Sequence, residues 1–215
     1  MKYTTYLFDF DGTLVDSMPS YVGVMMRILE ENHISYPEDI VKIITPLGYV
    51  GTAKYFREEL GLDMPQDEIV ATMNRYAATE YWYNIPAKNN VPEVLRQLKA
   101  QGADLNVLTA SPHSVLDRCL QRLELYDLFT NVWSCDDFAT TKADPQIYHM
   151  AAARLGKKVD EVLFLDDNYN ADKTAHSAGM KVCGVFDASS EEYTEEIKSV
   201  SDHYIDDFSQ LLADL

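Results

Sequence analysis

Hydrophobic residues come in short blocks whose spacing changes along the chain. Tyr6-Leu7-Phe8 is an unbroken apolar run that reads as a buried strand, and two acids, Asp9 and Asp11, follow at once. From residue 90 onward, helical spacings and apolar runs alternate. VPEVLRQLKAQG (91–102) has apolar residues at helical spacing with Gly102 placed to stop the helix. ADLNVLTAS (103–111) reads as a strand ending in small polar residues, SVLDRCLQRLEL (114–125) as a helix, and NVWSCDD (131–137) as a strand. PQIYHMAAARLG (145–156) is again helical, and EVLFLDD (161–167) is a second apolar strand that runs into acids. A helix near 170–178, the strand KVCGVF and a helical tail complete the series. Such alternation predicts an α/β fold, a Rossmann-like parallel sheet with helices on both faces.

Residues 17 to 84 break the alternation. Ser17 is placed to cap a helix running to about Asn32, with Pro19 in its first turn. YVGTAKYFREELG (49–61) and PQDEIVATMNRYAATEYWY (65–83) read as further helices with no strand between them. The predicted organisation is therefore an α/β core of residues 1–16 and 85–215, interrupted by an all-helical cap domain over 17–84. Turn-forming residues mark both joints, Asp16-Ser17 and Pro86 to Asn90.

Composition narrows the partners. With 18 Lys+Arg against 35 Asp+Glu the formal charge is -17, which argues against a nucleic-acid-coating or polybasic membrane surface. An anionic substrate then needs a local cation. The opening MKYTTYLFDFDG carries no apolar signal core, and no apolar run approaches the roughly 18 to 20 residues of a membrane span. Cys119, Cys135 and Cys183 are far apart and lack C-x-x-C spacing, so reduced thiols in a cytoplasmic protein are expected.

In open parallel sheets, ligands bind beyond the carboxyl ends of the strands. Three strands here end in reactive groups: Asp9 and Asp11, Thr109 and Ser111, Asp166 and Asp167. Lys142, in the loop TTKADP, adds a cation at the same predicted rim.

The ordered set resembles the haloacid dehalogenase (HAD)-like phosphohydrolases. DFDGTLVDS is similar to their D-x-D-G-T-hydrophobic motif, and VLTAS to a strand ending in Thr or Ser. Lys142 in KADP resembles K-P-x-P with Ala143 in place of the first proline, and LFLDDNYNADKTAHSAGM resembles the acidic fourth motif. The helical insert just after the first motif resembles the cap of the phosphoglycolate phosphatase and β-phosphoglucomutase branch.

The resemblance implies roles. Asp9 is the expected nucleophile and Asp11 the general acid and base, with Thr109 and Lys142 holding phosphoryl oxygens. Mg²⁺ is the expected cofactor, held by Asp9, the Asp11 backbone carbonyl and Asp167, with Asp166 a ligand or an orienter of one. Gly12, Thr13, Ala110, Ser111 and His113 form the expected phosphate- and substrate-binding set. Lys54, with Arg57 and Arg75, is offered to an anionic leaving group; taken alone, these three read as solvated helix positions. Relatives often carry another acid where Ala171 stands; its neighbour Asp172 reads at least as readily as a solvated acid at a helix start as it does as a metal ligand.

The expected activity is Mg²⁺-dependent hydrolysis of a small phosphorylated metabolite by a monomer or homodimer. The alternatives are a β-phosphoglucomutase-like phosphotransferase, which Pro112 in place of a phosphate-gripping lysine disfavours, and a non-catalytic phosphometabolite sensor. Asp11 argues against dehalogenase and phosphonatase chemistry, which need no acid at that position.

Overall fold

The computed structural model describes residues 2–213, which divide into two compact units, one reaching Asp16 and resuming at Pro86, the other spanning Ser17–Ile85. In the first unit, six strands form one sheet among the described residues: β1 (Thr5–Phe8), β2 (Asp104–Thr109), β3 (Asn131–Ser134), β4 (Val162–Asp166), β5 (Lys181–Val185) and β6 (His203–Ile205). Their order is β3-β2-β1-β4-β5-β6 and every pairing is parallel. The chain builds outward from β1 to β3 and then returns to place β4 on the other flank of β1. That reversal makes a switch point, the place where open α/β sheets carry their ligands.

β1 and β4 are buried along their whole length, as expected of central strands covered on both faces. Leu7, Leu108, Phe164 and Val182 of the sheet pack with Ile147, Tyr148 and Ala175 of the covering helices. Register places Phe8 opposite Leu165, and Asp9 N–H donates to the Leu165 carbonyl at 2.8 Å. Asp9 and Asp166 therefore leave adjacent strands at the same level.

The second unit contains helices α1 (Met18–Glu31), α2 (Ile40–Ile44), α3 (Gly48–Glu58) and α4 (Gln66–Tyr83). Met25, Ile28, Phe56, Ile69 and Met73 form its own core. Ser17 does not cap α1 through its side chain; its hydroxyl is buried without a partner. Residues 44–54 comprise the end of α2, a 3-10 turn over Thr45–Leu47 and the start of α3.

The remaining helices cover the sheet: α5 (Val91–Ala100), α6 (His113–Arg122), α7 (Gln146–Arg154), α8 (Tyr169–Ser177), α9 (Thr194–Val200) and α10 (Gln210–Ala213). Two expectations are corrected in this unit. The strand expected over 131–137 stops at Ser134, whose hydroxyl accepts the Asp136 N–H and starts a 3-10 turn over Cys135–Phe138. The expected helical tail is interrupted by β6, which pairs with β5 at the sheet edge through Cys183 and His203, Gly184 and Tyr204, and Val185 and Ile205.

Candidate active site

The carboxyl ends of β1 and β4 deliver a cluster of buried carboxylates. Asp9, Asp166 and Asp167 each offer an oxygen, and these atoms lie within 4.8 Å of one another. The Lys142 ammonium arrives from the loop after β3, 2.7 Å from Asp9 Oδ1 and 2.7 Å from Asp166 Oδ2. The Asp166 contact is an aligned hydrogen bond, whereas Asp9 Oδ1 has a close ion pair without hydrogen-bond alignment. Asp166 also accepts the Asn168 N–H at 2.8 Å, and Asn168 caps α8 by accepting the N–H groups of Asn170 and Ala171.

Tyr148 joins the two sides of this arrangement. Its buried hydroxyl lies 3.1 Å from both the Lys142 and Ala171 carbonyls, and its ring meets Phe164 edge-on at 5.2 Å. The lysine loop and the first turn of α8 thus share one donor. The sequence places Tyr148 within the helix expected over 145–156 and gives no sign that its hydroxyl reaches the lysine loop.

The first loop wraps tightly around Asp167. Gly12 has φ +76°, and a Cβ placed there would lie 2.5 Å from Asp167 Oδ2. Only glycine combines that left-handed backbone with so close an approach. Thr13 Oγ1 donates to Asp167 Oδ1 at 2.9 Å. The Asp11 side chain is not part of the three-acid cluster; its Oδ2 accepts the Ser111 hydroxyl at 2.5 Å. Ser111 N–H donates to Thr109 Oγ1 at 3.1 Å, so the ends of β1 and β2 are linked through one serine.

Electrostatics follow from this crowding. Burial pushes Asp166 up to about 7, with Asp9 adding to the rise and Lys142 opposing it. Burial and then the neighbouring Asp166 and Asp9 hold Asp167 well above the usual carboxylate range. Burial works against the Lys142 charge, but Asp166 and Asp9 outweigh it and raise the ammonium well above its ordinary value. Ionising all three carboxylates against one lysine would leave two buried negative charges, a balance that a divalent cation with oxygen ligands would correct.

Other expected site residues take different places. Ala110 is exposed at the end of β2. His113 opens α6 with both ring nitrogens engaged, Nδ1 with Asp117 and Nε2 with Asp137, each at 2.9 Å. The bond to Asp117, then that to Asp137, raises its pKa. Lys54 belongs to the helical unit, largely exposed and 3.9 Å from Glu58. Arg75 there donates to Thr72 Oγ1.

Asp172 corrects the sequence reading outright. It is fully buried, and neither carboxylate oxygen has a hydrogen-bond partner. It lies on the face of α8 that also buries Ala171 and Ala175, so it is a core position carrying an acid. Burial, then the charges of Asp166 and Asp167, raises its pKa well above the usual carboxylate range. A raised folded pKa gives stability that is complete below the unfolded value and is lost as pH rises above about 4. Asp172→Asn is therefore expected to stabilise the protein relative to wild type more at pH 8 than at pH 5, read from urea melts at both pH values. An equal shift at the two would show that Asp172 does not titrate differently on folding.

A family profile for haloacid dehalogenase-like hydrolases matches residues 3–179. The pyrophosphatase PpaX of Bacillus cereus (strain AH820) is 25% identical over 99% of this chain and 96% of its own length. A Haemophilus somnus 129PT structure described as a "predicted phosphoglycolate phosphatase" superposes with a TM-score of 0.80 at 23% identity, covering 99% and 98% of the two chains. CbbY from Rhodobacter sphaeroides, solved in complex with phosphate, gives 0.76 at 19% identity over 97% and 96%. The chain belongs to the haloacid dehalogenase-like hydrolase family. The structural likenesses speak for the shared fold.

Proposed function

We propose that the protein is a Mg²⁺-dependent phosphatase that hydrolyses a small phosphomonoester through an aspartyl-phosphate on Asp9. The observation that carries the reading is the Asp9 carboxylate at the end of the central strand, with a partly buried lysine at 2.7 Å and two further acids in reach. In the first step an Asp9 oxygen attacks phosphorus as the bond to the leaving oxygen breaks, and Asp11 gives that oxygen its proton. In the second, Asp11 takes a proton from water, the water oxygen bonds to phosphorus, and the Asp9–phosphorus bond breaks. Asp11 ends protonated, as it began. Lys142 and Thr109 hold the equatorial phosphoryl oxygens, and the loose transition state makes their positive and hydrogen-bonding potential count.

Asp9, Asp167 and the Asp11 carbonyl are the proposed Mg²⁺ ligands, with Asp166 holding Lys142 beside them. Bound there, the ion would neutralise charge shared by nucleophile and phosphoryl group. The helical unit Ser17–Ile85 is proposed as the cap that selects the leaving group, with Lys54, Arg57 and Arg75 as its cations. A phosphate-complexed structural relative and relatives named phosphatase or pyrophosphatase support the substrate class. Three buried free thiols agree with the proposed cytoplasmic location, and no described helix is long and apolar enough to cross a membrane.

Purified protein is expected to release phosphate from p-nitrophenyl phosphate with MgCl₂, and to lose at least about 100-fold in rate with excess EDTA. Turnover that is indifferent to EDTA would contradict the metal assignment. Conversion of β-glucose 1-phosphate to the 6-phosphate without net phosphate release would move the assignment to a mutase.

A further inference from the structure

Lys88 lies just beyond Pro86, where the chain re-enters the α/β unit, and its ammonium is fully engaged. Nζ donates to the Gly12 carbonyl at 2.6 Å, to the Phe186 carbonyl at 2.7 Å and to Asp187 Oδ2 at 2.8 Å. Three acceptors match the three donors of a lysine. The pair is largely buried, the Lys88 side chain 18% and that of Asp187 6% exposed. Burial pushes the Asp187 carboxyl up, but bonds from Lys88 and Ser189 outweigh it and hold it below the usual range. The backbone beside it is also tied down: Lys88 N–H donates to the Leu14 carbonyl and Asp16 N–H to the Pro86 carbonyl, each at 3.0 Å.

The Gly12 carbonyl is not an arbitrary acceptor. It belongs to the rigid peptide that joins Gly12 to Thr13, so holding the carbonyl fixes the Thr13 N–H on the opposite side of the same plane. That amide sits in the turn that follows Asp9, and the Gly12 Cα that precedes it lies close against the Asp167 carboxylate. A cation on the carbonyl also polarises the peptide and strengthens its N–H as a donor. Because Asp187 neutralises Lys88, the effect passes through the peptide rather than through added charge at the site.

We propose that Lys88 is a positioning residue for phosphoryl transfer, clamping the Gly12 carbonyl so that the Gly12–Thr13 peptide presents its N–H to the phosphoryl group. The proposal rests on the phosphatase reading above. It assigns a role to a residue of the return segment that touches neither substrate nor the acid cluster.

The test compares Lys88→Met with Lys88→Arg and with Asn90→Gly. The last keeps the left-handed backbone of Asn90 but removes its bond to Asp207 on the same segment. With p-nitrophenyl phosphate and MgCl₂, Lys88→Met is expected to lower kcat about 10- to 100-fold with KM within about threefold. Inhibition by orthovanadate should weaken in parallel, and Lys88→Arg should recover a large part of kcat. Asn90→Gly should lose thermal stability but keep kcat within about twofold. Hydrogen exchange of the Gly12–Val15 amides should quicken in Lys88→Met and not in Asn90→Gly.

A Lys88→Met kcat within twofold of wild type, or an equal fall in Asn90→Gly, would overturn the proposal. Should Lys88→Met fail to fold, Lys88→Gln combined with Asp187→Asn removes both charges together and is read by the same criteria. Wild type that releases no phosphate would defeat the phosphatase reading instead, while the exchange data still decide whether Lys88 clamps the turn.

Discussion

Asp9→Asn is expected to lower kcat on p-nitrophenyl phosphate by roughly ten-thousand-fold or more, the loss that follows removal of a covalent nucleophile. The amide has the shape of the carboxylate but cannot form the acyl phosphate. The fold should survive, because Asp166 still pairs with Lys142 at 2.7 Å and Asp9 N–H still bonds Leu165 through the backbone. Thermal melting in EDTA should show equal or greater stability, since one of three crowded buried carboxylates loses its charge. Appreciable residual turnover by the folded variant would remove Asp9 from the nucleophile's role.

Lys142→Met is the second large effect, and it reaches both activity and stability. It takes from the site the cation that lies 2.7 Å from both Asp9 and Asp166. Activity should fall by about 100- to 1,000-fold, as for other losses of transition-state charge stabilisation. Breaking a buried ion pair from one side costs about 3–5 kcal/mol, because the partner charge is left uncompensated. The sign of the pH dependence is fixed by Asp166. Already raised to about 7 with the lysine present, it rises further without it. The variant's deficit should therefore be greatest above pH 7 and shrink as pH falls and Asp166 takes up a proton. Urea melts in EDTA at pH 5 and pH 8 measure this. A deficit that grows towards low pH would contradict the charge assignment.

How far the sequence discloses this site depends on whether each partner is local. The apolar runs at 6–8 and 162–165 identify central strands because burial on both faces demands uninterrupted hydrophobicity. Acids at their ends mark the rim, and DFDGT, VLTAS, KADP and LFLDD in that order carry the family resemblance. Strand β6 has only three residues and exists through its pairing with β5, so no local pattern announces it. Lys88 read as part of a turn because its acceptors lie 76, 98 and 99 positions away. Asp172 misled for a different reason. Its three-residue spacing from Ala175 places it on the buried face of α8, yet an acid beside other acids reads as solvated. Only the structure shows that this carboxyl lies inside the core.

The helical unit illustrates the other limit. Three of its four helices were readable from spacing, since Met25, Ile28 and Leu29, and again Ile69 and Met73, recur at helical intervals, whereas the five-residue α2 is too short to show a period. Which of its side chains would recognise a leaving group, if it is the cap proposed above, was not readable, because recognition depends on a handful of polar groups rather than on periodicity.

During turnover a phosphoryl group is expected on Asp9. The most direct measurement is acid quenching of the enzyme during turnover of p-nitrophenyl phosphate with MgCl₂, followed by mass spectrometry of the peptide containing residues 3–27. Asp11→Asn, which lacks the base for the second step, should accumulate the intermediate. One added phosphoryl group is expected, located on Asp9 and removed by hydroxylamine. Phosphate release with no phosphorylated peptide in either protein, or a phosphoryl group on another residue, would contradict it.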